Sequence, residues 1–198
     1  MPELLPEGPL PLIVMFHGAT SDPERGLRHV RAEAERRGCL VLATKSRGST
    51  WDLLQGGYGF DVAVLDYSLK AVFCRFPVDP RRVAVAGFSD GASYALSLGL
   101  INGLFFSQVI AFSPGFVAPG PWQGRPAIFV SHGREDTVLP ISRCGRPAVD
   151  RLREAGYRVH YREFDGGHVV PPDITVSAMD DFEANAREKG VRWMPARN

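Results

Sequence analysis

Charge of one sign, paired cysteines and long apolar runs are all missing from this sequence, and each absence closes off a class of function. Twenty-three Lys and Arg offset 22 Asp and Glu, a formal net charge of +1 over 198 residues. No broad electrostatic footprint for nucleic acid is present, and the expected partner is a small molecule. Cys39, Cys74 and Cys144 are odd in number and widely spaced, with no C-x-x-C pair. That pattern excludes a disulfide framework or a zinc knuckle. The three read as buried free thiols, and neither a metal nor a cofactor is expected. The stretch MPELLPEGPLPLIVMFHG lacks a basic segment, and its apolar run is short and broken by Pro and Gly. Neither a secretory signal nor a membrane span is expected there, which suits a cytoplasmic protein, monomeric or homodimeric. Repeats and low-complexity tracts are absent.

What is there is a regular alternation. With 44% hydrophobic and 23% charged residues, the chain suits one globular domain over residues 1–198 with its core at about 11–188. Short apolar runs at 12–16, 40–43, 83–86, 109–112, 127–130 and 159–164 read as strands, most of them buried on both faces. Segments of helical period separate them, the pattern of a parallel sheet covered by helices. In SDPERGLRHVRAEAERRG, Ser21 and Glu24 have capping-box spacing, Pro23 suits a first turn and Gly38 a stop. Leu27, Val30 and Ala34 would then face the sheet. Further helices are expected near 63–76, 90–100, 146–155 and 176–188, whereas SPGFVAPGPWQGRP reads as helix-free.

Ligands of open α/β sheets bind beyond the carboxyl ends of the strands. The residues there are HGAT after the first strand, KSRGSTWD after the second, GFSDG after the third, SHGRED after the fifth and DGGH after the sixth. A nucleophile, a carboxylate and an imidazole thus share one rim. In GFSDG, Ser89 falls on a sharp strand-to-helix turn where small neighbours leave room and the helix N-terminus favours developing negative charge. Among five histidines, His29 lies on a charged helix and reads as surface, and His160 lies inside a strand and reads as core. His17 and His132 precede glycines at strand ends and read as turn-fixing. His168, in a glycine-freed loop, remains as the base. Its carboxylate partner is chosen from Glu135, Asp136, Asp165 and Asp173. Asp136 is preferred because it follows the penultimate strand and gives the chain order Ser, Asp, His.

MFHGAT, GFSDGA, HGREDTVLPI and DGGH, in that order, resemble the α/β-hydrolase fold, and within it the small serine esterases of the phospholipase/carboxylesterase type. The resemblance runs from about Pro11 to Glu188. It implies a catalytic set of Ser89, Asp136 and His168, and an oxyanion hole from the backbone N–H groups of Ala19 and Asp90. It also implies a minimal, mostly parallel six-stranded sheet with helices on both faces, because the leading antiparallel strands of larger hydrolases are missing. The span from Phe112 to Ala127 is too short for a cap domain. The expected activity is a carboxylesterase acting on short-chain acyl or aryl esters. The alternatives are polyhydroxybutyrate depolymerase or feruloyl esterase-like activity, acyl-thioesterase or lysophospholipase activity, and a hydrolase-like ligand binder without turnover. Relatives often carry Gln and Gly where this chain has Asp90 and Ala92. The Asp90 carboxylate either caps the helix or turns to solvent, away from the oxyanion. Trp51, Leu53, Leu54, Phe116, Trp122, Val138, Leu139, Val169 and Val170 are the expected apolar walls.

Overall fold

The apolar runs pair edge to edge in the order β2 (Leu40–Thr44), β1 (Leu10–Phe16), β3 (Val78–Phe88), β4 (Gln108–Phe112), β5 (Ala127–Gly133) and β6 (Val159–Phe164). Every neighbouring pair is parallel, so the sheet is parallel throughout. The computed structural model describes residues 8–188 and 190. Residues 1–7, 189 and 191–198 of the expected domain lie outside the described residues.

Strand geometry sends successive side chains to opposite faces. Leu12, Val14 and Phe16 accordingly join a core with α3 (Phe60–Arg75), α4 (Asp90–Ile101) and α5 (Gly145–Glu154). Ile13 and Met15 join a second core with α2 (Arg31–Arg36) and α6 (Pro172–Glu188). Burying one such Leu, Ile or Phe stabilises the fold by about 1.5–3 kcal/mol. The central helix α4 is buried from Gly91 to Leu100. Two of its serines hold the helix-free crossover: Ser93 Oγ accepts from Gly115 N–H at 2.9 Å, and Ser97 Oγ accepts from Ala118 N–H at 2.9 Å. Those bonds satisfy backbone groups that a helix would otherwise pair.

Four expectations need correction. The segment after β1 is two short helices, α1 (Pro23–Arg28) and α2. The cap of α1 is Asp22 rather than Ser21, because the Asp22 carboxylate reaches Arg25 N–H at 2.8 Å. Val30 and Ala34 are buried as expected, while Leu27 is half-buried. Strand β6 is an edge, so alternate side chains face water, and His160 is exposed with its Nδ1 3.0 Å from Asp181. Of the cysteines only Cys39 is buried, its thiol pushed up to about 12 by burial, whereas Cys74 is exposed and Cys144 half-buried.

Arg37, on the chain just past α2, ties that helix to α6 through Glu33 at 3.0 Å, Asp180 at 2.6 Å and Glu183 at 3.3 Å. No described helix is long and apolar enough to cross a membrane.

Candidate active site

Strand β1 has β2 on one side and β3 on the other. Connections after β1 and β3 therefore diverge and leave a crevice at the carboxyl ends of these two strands. Ser89 sits there, between β3 and α4, with φ 58° and ψ −123°. A non-glycine residue in that region costs on the order of 1–3 kcal/mol, so the surroundings must impose it. They do so through close packing. A Cβ on Gly87 would strike the Gly91 carbonyl, and a Cβ on Gly91 would strike the carbonyls of Phe16 and His17. Ser89 N–H is fixed by a 3.0 Å hydrogen bond to Phe112 O.

The turn leaves the Ser89 hydroxyl facing the loop after β6. His168 Nε2 lies 2.9 Å from Ser89 Oγ, and His168 Nδ1 lies 2.6 Å from Asp136 Oδ2. The other oxygen, Asp136 Oδ1, accepts from the N–H groups of Val138 at 2.9 Å and Leu139 at 2.8 Å. Burial alone would raise the Asp136 carboxyl. The Leu139 N–H, with His168 and His132 alongside, outweighs it and holds the group below the usual carboxylate range. His168 thus keeps a charged partner, and the Phe88 ring packs 4.7 Å from its imidazole.

The remaining rim residues are positioned by their neighbours. His17 is buried, with Nδ1 2.7 Å from Gly18 O and Nε2 accepting from Ser46 N–H at 3.2 Å. It fixes a turn, as expected, and burial pushes its imidazole down. His132 also fixes a turn, its Nε2 2.7 Å from Leu139 O. Beyond that expectation, the same nitrogen lies 3.3 Å from Asp136 Oδ2. Ala19 lines the cleft beside Ser89, and Asp90 opens α4 directly behind it. The Asp90 carboxylate neither caps its helix nor merely faces solvent: it accepts from Thr50 Oγ1 at 2.7 Å and so ties α4 to the loop after β2.

A cleft of about 530 Å³ opens over the serine, lined by Gly18, Ala19, Ser21, Arg25, Arg28, His29, Phe88, Val138 and His168, among others. Of the expected apolar walls only Val138 lines it. Trp51 is corrected to a core residue: it is 1% exposed, stacks on Tyr94 and donates from Nε1 to His17 O at 2.9 Å. Leu53 and Leu54 pack against the same core. Trp122 rests on Tyr157 and under Arg151, beside a strap whose Gln123 N–H reaches Leu100 O. Leu100 lies roughly 16 Å along α4 from Ser89, so Trp122 belongs to the far end of that helix. Phe116, Val138 and Val169 are exposed, Leu139 is half-buried beside Gly115, and Val170 packs into the second core.

Sequence reasoning missed Arg25, Arg28 and His29 as cleft residues. His29 is half-buried on Phe88, at 4.8 Å between rings, with its imidazole pushed down by burial. The available signal was position alone, since α1 follows the first rim loop. Among the described residues no cluster of three His, Cys, Asp or Glu side chains is arranged to hold a metal ion.

The sequence pattern of phospholipases and carboxylesterases matches residues 62–183, more than half of the chain. The chain belongs to the phospholipase/carboxylesterase family. Ester hydrolysis is that family's chemistry, and the α/β-hydrolase fold agrees with it. Among solved structures, esterase PE8 superposes with a TM-score of 0.69 at 20% identity, covering 97% of both chains. A carbohydrate esterase from gut microbiota gives 0.76 at 14% identity, over 94% of this chain and 89% of that one. At these identities the likeness concerns the fold. Acyl-protein thioesterase 1 of Gibberella zeae is 28% identical to this family member over 120 residues, 56% of this chain and 49% of that protein. The match thus spans about half the length of that relative.

Proposed function

We propose that the protein is a single-domain serine carboxylesterase that cleaves short-chain acyl or aryl esters through an acyl-enzyme intermediate. The observation that carries this reading is the continuous chain from Ser89 Oγ through His168, at 2.9 Å, to Asp136, at 2.6 Å. With Asp136 ionised and bonded to Nδ1–H, His168 presents an unprotonated Nε2 to the serine. Ser89 Oγ bonds to the ester carbonyl carbon as its proton passes to His168, and the carbonyl oxygen becomes an oxyanion facing the N–H groups of Ala19 and Asp90. Loss of one such donor typically costs about 2.7–4 kcal/mol of transition-state stabilisation. The imidazolium returns its proton to the departing alcohol as the C–O bond breaks. Water, deprotonated by His168, then releases the acid and restores the Ser89 hydroxyl.

Short chains are favoured because the crossover over residues 113–126 adds no helix above the cleft, so few methylenes can be buried. Each buried one is worth about 0.8 kcal/mol. A fluorophosphonate probe combined with a series of p-nitrophenyl esters tests the proposal. Labelling of Ser89 and fastest hydrolysis at roughly two to six acyl carbons are expected. Hydrolysis without modification of Ser89 would refute the assignment. Acyl-thioester cleavage is the second reading, favoured by the thioesterase match, and the same series made with thioesters ranks the two.

A further inference from the structure

One wall of the Ser89 cleft is cationic. Arg25 and Arg28 line the cleft together with Ser21 and His29, and no Asp or Glu is among the described residues that line it. The nearby acids are largely engaged. Glu24 is paired with Arg31 at 3.1 Å, and Asp22 caps α1 through Arg25 N–H at 2.8 Å. The Asp22 carboxylate reaches the Arg25 guanidinium at only 3.7 Å, and no carboxylate of the described residues lies within salt-bridge distance of Arg28. A third cation, Lys45, donates to Ser21 O at 2.7 Å on the same side. This wall stands close to the chemistry, because His29 packs on the Phe88 ring that also supports His168.

We infer that Arg25 and Arg28 form a subsite for a carboxylate, so that the preferred substrates are esters bearing a carboxylate at the end opposite the scissile bond. The inference rests on Ser89 as the reacting residue. Guanidinium forks match carboxylate geometry, and their charge persists at any physiological pH. Asp22 offsets part of Arg25, leaving a small positive excess that suits a singly charged carboxylate better than a phosphate dianion. A cleft of about 530 Å³ accommodates a compact molecule of this type. The charge also works at a distance, drawing an anionic ester toward this wall.

The test uses two matched pairs. One is the mono-p-nitrophenyl ester of glutarate against p-nitrophenyl butyrate, with the charge on the acyl side. The other is 4-acetoxybenzoate against its methyl ester, with the charge on the alcohol side. The anionic-to-neutral ratio of kcat/KM is measured for the native protein and for Arg25→Gln/Arg28→Gln. In at least one pair the native ratio is expected to fall about five- to tenfold in the double variant, the range two partly exposed ion pairs supply. High salt should lower the same ratio in the native protein, a check that needs no mutation. The pair that responds identifies which side of the ester faces α1. If neutral esters are cleaved while both ratios ignore the arginines and salt, the subsite is wrong and the Ser89 assignment stands. If no ester is cleaved and Ser89 stays unlabelled, the assignment of Ser89 has failed. Glutarate binding by calorimetry then judges the subsite alone, weaker binding in the double variant upholding it and equal binding overturning it.

Discussion

The β3–α4 junction and the α1 segment flank the same cleft but are built in opposite ways. At the junction, Ser89 holds a left-handed backbone because Gly87 and Gly91 bring β3, α4 and the end of β1 into contact, and the helix behind it is buried along its length. Across the cleft, α1 has only six residues, one of them buried, and presents arginines. A reacting atom must be held within a fraction of an ångström, which requires rigid packing. A charged wall acts over several ångströms and tolerates a short, polar helix. The two walls meet at His17, whose carbonyl a Cβ on Gly91 would strike and whose backbone Gly26 of α1 approaches from the other side.

The sharpest way to break this contrast is Ser89→Ala, which should abolish fluorophosphonate labelling and lower ester kcat by a factor of about a thousand or more. Its melting temperature should barely move, because the role proposed for the hydroxyl is chemistry rather than packing. Near-normal turnover would remove the junction's claim to rigidity for catalysis.

Next comes Asp136→Asn. Asp136 Oδ1 is committed to two backbone N–H groups, so an amide there would turn its NH₂ toward His168 Nδ1 and force the imidazole proton onto Nε2. A kcat loss on the order of a thousandfold or more is expected, against less than about threefold for Glu135→Gln on the exposed side of the same loop. Steady-state kinetics of the two variants decide between the carboxylates.

Stability should separate the walls by smaller amounts. Trp51→Ala removes a ring stacked on Tyr94 and tilted against Phe16, and should cost about 3–5 kcal/mol in urea unfolding. Gly26→Ala meets His17 atoms at 3.2–3.3 Å, a tightness offset by the better helix propensity of alanine. Its expected effect is below about 1 kcal/mol. Equal losses would mean that α1 is as tightly seated as the junction.

The smallest effect concerns pH. Burial pushes the imidazoles of His17, His29 and His132 down. The folded protein therefore keeps them neutral where the unfolded chain already binds protons. Stability from this source is complete above about pH 6.5 and falls as acid is added. Melting curves between pH 8 and pH 5 should show the decline, and His29→Gln should flatten it only in part, since the other two histidines remain.

Much of the framework was legible in the chain. Runs such as Leu12–Phe16 are apolar at every position because both faces of their strands are covered, and that property is local enough to read. GFSDG, SHGRED and DGGH were legible because each closes a strand, and the structure brings Ser89, Asp136 and His168 from them into one hydrogen-bonded chain. The limits of the reading also have physical causes. His160 looked internal because a strand's place at the edge of a sheet depends on partners far away in sequence, and among the described residues β6 has only one.

The sequence by itself determined the alternation of strands and helices, the serine between two glycines, and the order of serine, carboxylate and imidazole, because each depends on spacing along the chain. Only the tertiary structure decided that Trp51 is a core ring, that Asp90 is held by Thr50, and that Arg25 and Arg28 line the same cleft as Ser89. Those facts arise where residues far apart in sequence meet at the β1–β3 crevice, and no local pattern encodes which of them will be neighbours.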